Sequence, residues 1–203
     1  MARVYAQTDV GIWSDDDFLD LGLHAQWLYW HLFSQPDLSY CGVTDWRPKR
    51  IVPKAAGLTL GTVLDAAREL CERHYIVTDE DTEEVLVRSF VRSDGLLKQR
   101  NMGAAVAKAH ATIASRTLAG VVVHELQRLH AEHPDWSSWS ALESVLSKRS
   151  INPYELTSEK GPDDPPEMPF GNPSGNPFGK GSPNPFGNPS GKGSGKASDD
   201  PPF

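Results

Sequence analysis

The composition of this chain changes sharply near residue 150, and that change limits which part of it can fold. From Gly161 onward the sequence consists mainly of Gly, Pro, Ser, Asn and Lys, with imperfect repeats of Asn-Pro-Phe-Gly and Asn-Pro-Ser-Gly units. Such a segment buries too little apolar surface to offset its chain entropy, so we expect it to be disordered. A compact core must therefore come from residues 1–150, a length typical of one domain.

Apolar periodicity divides the first part of the chain into helices and one β-rich region. In chain order we expect a helix, a strand, two helices and a hairpin over residues 23–33, 39–43, 48–56, 59–74 and 75–90. Gly57 supplies the turn between the paired helices, because glycine tolerates a positive φ. Helix, strand, helix, helix and hairpin is the element order of a winged helix-turn-helix.

Helical periodicity returns at Met102, where one helix begins, and Ser115 is the expected N-cap of the next. We therefore predict a mainly α fold with a small β-hairpin, a winged helix-turn-helix followed by additional helices and a disordered C-terminal tail. The predicted domains are a winged-helix domain, a helical extension and a Gly/Pro/Ser/Asn-rich tether with an acidic-aromatic tip, in residues 1–95, 96–150 and 151–203. Whether the extension completes the winged-helix core or forms a separate unit stays open.

The cysteines and the length of the apolar runs indicate the cellular compartment in which the protein is expected. Cys41 and Cys71 lie in hydrophobic surroundings, and the N-terminus has no apolar segment of the kind that exports a chain. No apolar run approaches the roughly 18–20 residues that cross a bilayer. We expect a cytoplasmic protein in a reducing compartment, with no membrane partner.

The residue types that carry catalysis do not form a recognised signature. Four histidines invite a metal interpretation, namely His110, His124, His130 and His133. Both cysteines are distant from them in sequence, and neither a Cys-x-x-Cys nor a His-Glu-x-x-His spacing occurs. No glycine-rich phosphate loop follows a predicted strand. We expect no enzymatic activity, no metal and no cofactor.

Two basic stretches stand out against the net charge of -7. Residues 46–54 hold four positive charges and no negative one, and residues 88–116 hold six against the single Asp94. Either stretch can contact phosphates. The candidate nucleic-acid-binding residues are Arg47, Lys49, Arg50, Lys54, Arg68, Lys98 and Arg100.

The surface that reads DNA bases in most winged helices carries carboxylates in this sequence. The second helix of the pair exposes Asp65, Glu69 and Glu72 beside Arg68, and residues 79–84 of the wing are acidic. We expect these carboxylates to face phosphates and be repelled. A merely solvated charged face is the alternative interpretation of the whole surface.

The last five residues, Asp199-Asp200-Pro201-Pro202-Phe203, combine a charge pair, a rigid backbone, an aromatic ring and a free α-carboxylate. A basic-rimmed hydrophobic pocket on a partner would accept Phe203, with Asp199 and Asp200 steering the encounter. Pro201 and Pro202 reduce the entropy lost on docking. The sequence predicts a docking tip, which makes the chain an adaptor.

This ending resembles the C-terminal tip of bacterial single-stranded DNA-binding proteins, in which a Gly/Pro-rich tail ends in acidic residues, proline and phenylalanine. The resemblance implies that the tip recruits host replication, recombination and repair enzymes. Residues 1–150 differ from that family, because they are mainly helical rather than an OB-fold. An internal near-copy of the tip, residues 163–170, lacks the free carboxylate.

The body resembles winged-helix proteins of bacteriophages and actinobacterial prophages related to DnaD-like replisome organisers and replication initiators. The resemblance lies in residues 3–5, 11–13, 23–33, 42–43, 87–95 and 98–102. It implies a replication or recombination accessory that acts in the bacterial host cytoplasm. The expected partners are duplex or single-stranded DNA and the enzymes that read single-stranded DNA-binding protein tails.

Two other functions stay open, a winged-helix transcriptional regulator with an incidental tail and a decoy that occupies host repair enzymes. The aromatic residues Trp27, Trp30 and Phe33 also leave homodimerisation open, if their side chains are exposed.

Overall fold

The computed structural model describes Ala6, residues 10–93 and residues 95–156. Over these residues the chain is mainly helical, with a small three-stranded antiparallel sheet. The docking tip at residues 199–203, residues 157–198 of the predicted tether and residues 3–5 lie outside this part. Residues 151–156 of the predicted tether belong to the described part and include the short helix Pro153–Leu156. No helix within the described residues is long and apolar enough to cross a membrane.

The helices of the described residues are α1 Asp16–Leu19, α2 Leu23–Phe33, α3 Pro48–Ile51, α4 Leu60–Glu72, α5 Phe90–Ser93, α6 Met102–His110, α7 Arg116–Glu132, α8 Glu143–Leu146 and α9 Pro153–Leu156. Short 3-10 turns occupy Val10–Ser14, Val52–Lys54, Leu96–Lys98 and Ser137–Ala141. The strands are β1 Val43–Asp45, β2 Ile76–Asp79 and β3 Glu84–Val87. All of these elements fall within one compact unit.

The first long helix, α2, starts through a tertiary contact. Its N-cap residue, Gly22, has no side chain that could cap the helix. Instead, the Gly22 N–H donates to the Glu69 Oε1 atom of α4 at 2.7 Å. A carboxylate at this end is favourable because the helix dipole is positive there. The acidic run before it caps a different helix, since Asp15 Oδ1 accepts from the N–H groups of Asp17 and Phe18 in α1.

The helix pair forms where the sequence predicts it, although the first helix is shorter than expected. Gly57 between the two helices has φ +83°, as a glycine turn requires. A capping box between Thr59 and Thr62 starts α4. The predicted helix over residues 48–56 ends as α3 at Ile51 and continues as a 3-10 turn, because Pro53 cannot donate a backbone hydrogen bond.

The predicted strand at residues 39–43 is displaced. Residues 39–42 form a turn in which the Gly42 N–H donates to the Ser39 carbonyl, and β1 begins only at Val43. Gly42 has φ +80°, and a Cβ there would lie 2.7 Å from the Val87 carbonyl. The strand pairs with β3, giving the order β1-β3-β2, so the predicted hairpin is part of a three-stranded sheet.

One strand supports two hydrophobic clusters. Val85 and Val87 of β3 belong to a cluster built on α2 and α4, while Leu86 belongs to a second cluster with α6, α7 and Trp139. Successive side chains of a strand point to opposite faces, so a single strand can do this. The helices after Met102 thus pack on the far face of the same sheet.

The aromatic residues of α2 are more buried than a dimer surface needs. Phe33 is only 2% exposed, and its ring packs against Tyr29, Trp30 and Phe90. Trp27 and Trp30 are half-buried. Phe33 does not meet the condition of exposure, because Phe90 at the start of α5 covers it, and homodimerisation through Trp27 and Trp30 stays open.

Candidate functional site

Four of the seven candidate cations line one groove between the end of α2 and α3. Its volume is about 570 Å³. We call it the α3 groove, and its polar lining residues are His31, Gln35, Asp37, Thr44, Asp45, Arg47, Lys49, Arg50 and Lys54. Four cations face two carboxylates, so the groove is locally positive in a chain of net charge -7. Such a surface attracts a polyanion.

Local sequence places these cations. Pro48 occupies the first position of α3, where its fixed φ favours a helix start and its missing N–H costs nothing. The short helix and the 3-10 turn after it leave Lys49, Arg50 and Lys54 exposed. No ion pair joins these three side chains to a carboxylate of the described residues. Their charges are available to a ligand.

Arg47 is the exception among the four cations. Its guanidinium contacts Asp45 and Glu83, each at 3.1 Å, and its side chain is 39% exposed. Ion pairs between solvent-exposed side chains contribute little stability, so the main effect of these two pairs is to fix the position of the Arg47 side chain. Arg47 therefore lines the groove with its positive charge largely balanced by these two carboxylates.

His31 and Gln35 are among the polar residues of the α3 groove that sequence reasoning missed. His31 stacks on Trp27 with 5.0 Å between ring centroids, and Gln35 Nε2 donates to the His31 ring. Burial, and then the charge of Lys54, lowers the pKa of His31. The positive charge of the groove therefore comes from its lysines and arginines at neutral pH. The i,i+4 spacing of His31 and Gln35 at the end of a helix was the available signal.

The acidic hairpin does not present all of its carboxylates to solvent. Glu84 accepts from the N–H groups of Ala114 and Ser115 at 3.1 and 2.7 Å, just before α7 begins. Asp79 accepts from the Ser115 hydroxyl, and this hydrogen bond holds the pKa of Asp79 below its ordinary value. The expectation that these two carboxylates face phosphates is wrong, because they bind the start of a helix.

The rest of the hairpin loop divides between pairing and exposure. Glu83 is held by Arg47, while Glu80 and Asp81 are exposed at the tip of the loop. Two carboxylates therefore remain to repel a phosphate chain, fewer than the sequence indicated.

The structure does not bring the other three candidates to the α3 groove. Arg68 is exposed on α4, pairs with Asp65 at 2.9 Å and borders a different cleft. Lys98 ends the 3-10 turn before α6, and Arg100 follows it in an exposed loop. Their roles as nucleic-acid contacts stay predictions.

The second basic stretch is not a continuous positive surface. Arg88 contacts the buried Glu125 at 3.3 Å, and Arg92 contacts Glu132 at 2.9 Å. Glu125 also contacts Arg128 at 3.5 Å. Two of the six positive charges in residues 88–116 are therefore used to attach α7 to the end of the sheet and to α5.

The described residues contain no group of three or more His, Cys, Asp or Glu side chains that could hold a metal ion. Burial raises the pKa of the Cys41 thiol to about 12. A thiol in that state is a poor nucleophile.

No protein-family model, no curated protein and no solved structure matches this chain.

Proposed function

We propose that this protein is a phage-type accessory factor of DNA replication or recombination. Its body binds DNA through the α3 groove, and its tip at residues 199–203 recruits host enzymes that read single-stranded DNA-binding protein tails. The observation that supports it is the convergence of Arg47, Lys49, Arg50 and Lys54 on one groove. A phosphate chain is the ligand that such a convergence suits.

Element order supports a winged helix-turn-helix arrangement for the body. The elements α2, β1, α3, α4, β2 and β3 follow one another as helix, strand, two helices and hairpin. In this arrangement α3 carries the cations and α4 carries mixed charges. Contact with phosphates then outweighs contact with bases, and binding depends little on DNA sequence.

The tip supplies the second half of the function. The sequence predicts a flexible tether of about 40 residues, whose r.m.s. reach is roughly 35 Å. The tip can then search for enzymes while the body stays on DNA. Its resemblance to single-stranded DNA-binding protein tails is what indicates this class of partner.

The DNA-binding half is tested by fluorescence anisotropy of the full chain on labelled duplex and single-stranded oligonucleotides. The double variant Lys49→Ser/Arg50→Ser should weaken binding on the order of tenfold and lower the salt slope by about 2. The matched control is Arg73→Ser/Lys108→Ser, which removes two exposed cations that lie outside the groove and are not among the candidate nucleic-acid-binding residues. Equal losses in the two variants would contradict the α3 groove as the DNA site.

The recruiting half is tested by pull-down of host recombination and repair enzymes with the full chain. Deletion of Phe203 should abolish capture, because it removes the ring and shifts the free carboxylate. Phe170→Ala, in the internal near-copy, should leave capture unchanged. Unchanged capture without Phe203 would remove the tip from the proposal.

The same measurements separate the two alternatives. Sequence-specific duplex binding that survives removal of residues 161–203 would indicate a transcriptional regulator. Capture of host enzymes without any DNA binding would indicate a decoy.

A further inference from the structure

A second groove lies between the end of α6, the first turns of α7 and residues 148–156. Its volume is about 720 Å³, and we call it the α7 groove. Its larger apolar lining side chains are Ile113, Val123, Ile151 and Leu156. Its cationic lining residues are Arg116, Lys148 and Arg149.

The wall of the α7 groove depends on Gly120, in the second turn of α7. The Ile151 N–H donates to the Gly120 carbonyl at 3.0 Å, and a Cβ on Gly120 would lie 2.6 Å from Ile151 Cδ1. The absence of a side chain at Gly120 lets the segment after α8 lie directly against α7. The groove is therefore a consequence of close packing between distant parts of the chain.

A buried histidine helps to place one of the cations. His110 is 5% exposed, and its Nε2–H donates to the Ala119 carbonyl at 3.2 Å. Its Nδ1 therefore accepts from Lys148 Nζ at 3.4 Å. Burial, and then the charge of Lys148, lowers the pKa of His110. The neutral ring holds the ammonium group at the edge of the groove without cancelling its charge.

The charge of the α7 groove is unbalanced. Three cations face the single carboxylate of Glu155. No ion pair joins Arg116, Lys148 or Arg149 to a carboxylate elsewhere in the described residues. Glu84 binds the N–H groups of Ala114 and Ser115 just before α7, and the Ser115 hydroxyl accepts from the Leu118 N–H, so the side-chain cations are the main charges that a ligand would meet.

We propose that the α7 groove binds a short acidic segment of a partner protein that also carries a large apolar residue. The apolar residue of the partner packs against the apolar lining side chains of the groove, which we call its aliphatic floor. The carboxylates of the partner contact Arg116, Lys148 and Arg149. The aliphatic floor favours a peptide over nucleic acid, because a phosphate backbone gains nothing from apolar surface. This site is independent of DNA binding at the α3 groove.

The test uses the full chain and a fluorescein-labelled peptide of sequence EEDLFDEE, with binding followed by anisotropy. The variant Arg116→Ser/Arg149→Ser should weaken binding on the order of tenfold. Lys49→Ser/Arg50→Ser is the matched control in the α3 groove and should change binding less than about twofold. Circular dichroism melting curves establish that each variant is folded.

A second peptide tests the apolar floor. Replacing the central Leu-Phe pair by Ser-Ser should weaken binding by at least about fivefold, because the buried apolar area is lost. Failure of the original peptide to bind, or equal losses in both protein variants, would overturn the proposal. Duplex DNA binding that falls in the Arg116→Ser/Arg149→Ser variant while peptide binding stays would assign the groove to nucleic acid instead. DNA binding by the control variant reports separately on the proposed function.

Discussion

The α3 groove and the α7 groove are both positive, but their cations have different origins. The cations of the α3 groove come from the contiguous segment 46–54. Those of the α7 groove come from Arg116 on one side and from Lys148 and Arg149 on the other. A local run of charge is visible in a sequence, whereas a charge cluster assembled by packing is not. The cations of the α3 groove were therefore candidates from the sequence, whereas the cluster in the α7 groove was not.

The acidic hairpin connects the two grooves. Glu83 contacts Arg47 in the α3 groove, and its neighbour Glu84 binds the N–H groups just before Arg116 in the α7 groove. Adjacent side chains at the start of β3 thus contact two different regions. The carboxylates that looked unfavourable for DNA binding act mainly as structural contacts.

The largest expected effect comes from the difference in packing around two helical glycines, one in α6 and one in α4. Gly103→Ala in α6 should destabilise the protein by about 2 kcal/mol, because the new Cβ would overlap the Ser138 carbonyl. Gly61→Ala in α4 should stabilise it by roughly 0.5 kcal/mol through helix propensity, since a Cβ there makes only ordinary contact with Thr59. Urea denaturation measures both, and changes of the same sign would contradict the difference in packing.

The next effect concerns the hairpin's contact with α7. Glu84→Ala should lower the free energy of unfolding by about 1 kcal/mol, because two N–H groups lose their carboxylate acceptor. Glu80→Ala, at the exposed tip, should change it by less than about 0.5 kcal/mol. Equal changes in the two variants, measured by urea denaturation, would show that Glu84 is not a structural contact.

A smaller effect is expected in the α3 groove. Glu83→Gln removes one of the two carboxylates that balance Arg47, and should raise affinity for duplex DNA about threefold. Glu143→Gln, which also removes an exposed carboxylate but lies on α8, away from the helix pair and the hairpin, is the control. Anisotropy titrations at one fixed salt concentration measure both, and no gain in Glu83→Gln would place Arg47 outside the DNA contact.

The smallest effect concerns pH. The folded-state pKa of Asp79 lies below the ordinary 3.8, so its ionised form contributes stability that is fully present above that value. This contribution is lost as the pH falls through the folded-state pKa. The free energy of unfolding should therefore fall less steeply with decreasing pH in Asp79→Asn than in Asp81→Asn, since the second variant leaves the Ser115 hydrogen bond in place. Identical pH profiles of the two variants would show that Asp79 does not stabilise the contact with α7.

The sequence was most informative about local elements. Helical periodicity located α2, α4, α6 and α7 to within a few residues, and Ser115 caps α7 as predicted, accepting from the Leu118 N–H. Errors arose where a distant residue intervened. β1 begins at Val43 because Gly42 adopts φ +80° in the preceding turn, and that backbone lies so close to the Val87 carbonyl that a side chain would not fit, a contact that no pattern near residue 42 reveals.

The candidate site shows the same division. Arg47, Lys49, Arg50 and Lys54 share a groove because they are neighbours on one short helix and turn. Arg68, Lys98 and Arg100 are also candidates from the sequence, and the structure places them outside the α3 groove. Charge composition identifies residues able to contact phosphate, while their convergence depends on packing.

The sequence by itself determined the order of the longer helices and the strands and the basic segment at residues 46–54, and it predicts the docking tip at residues 199–203. The tertiary structure alone decided the partners of the acidic side chains and the existence of the α7 groove. The contacts responsible join residues far apart, as in Arg47 with Glu83, 36 positions away, and Gly22 with Glu69, 47 positions away. Local periodicity reports which face of an element is apolar, and only packing determines which distant charge that face meets.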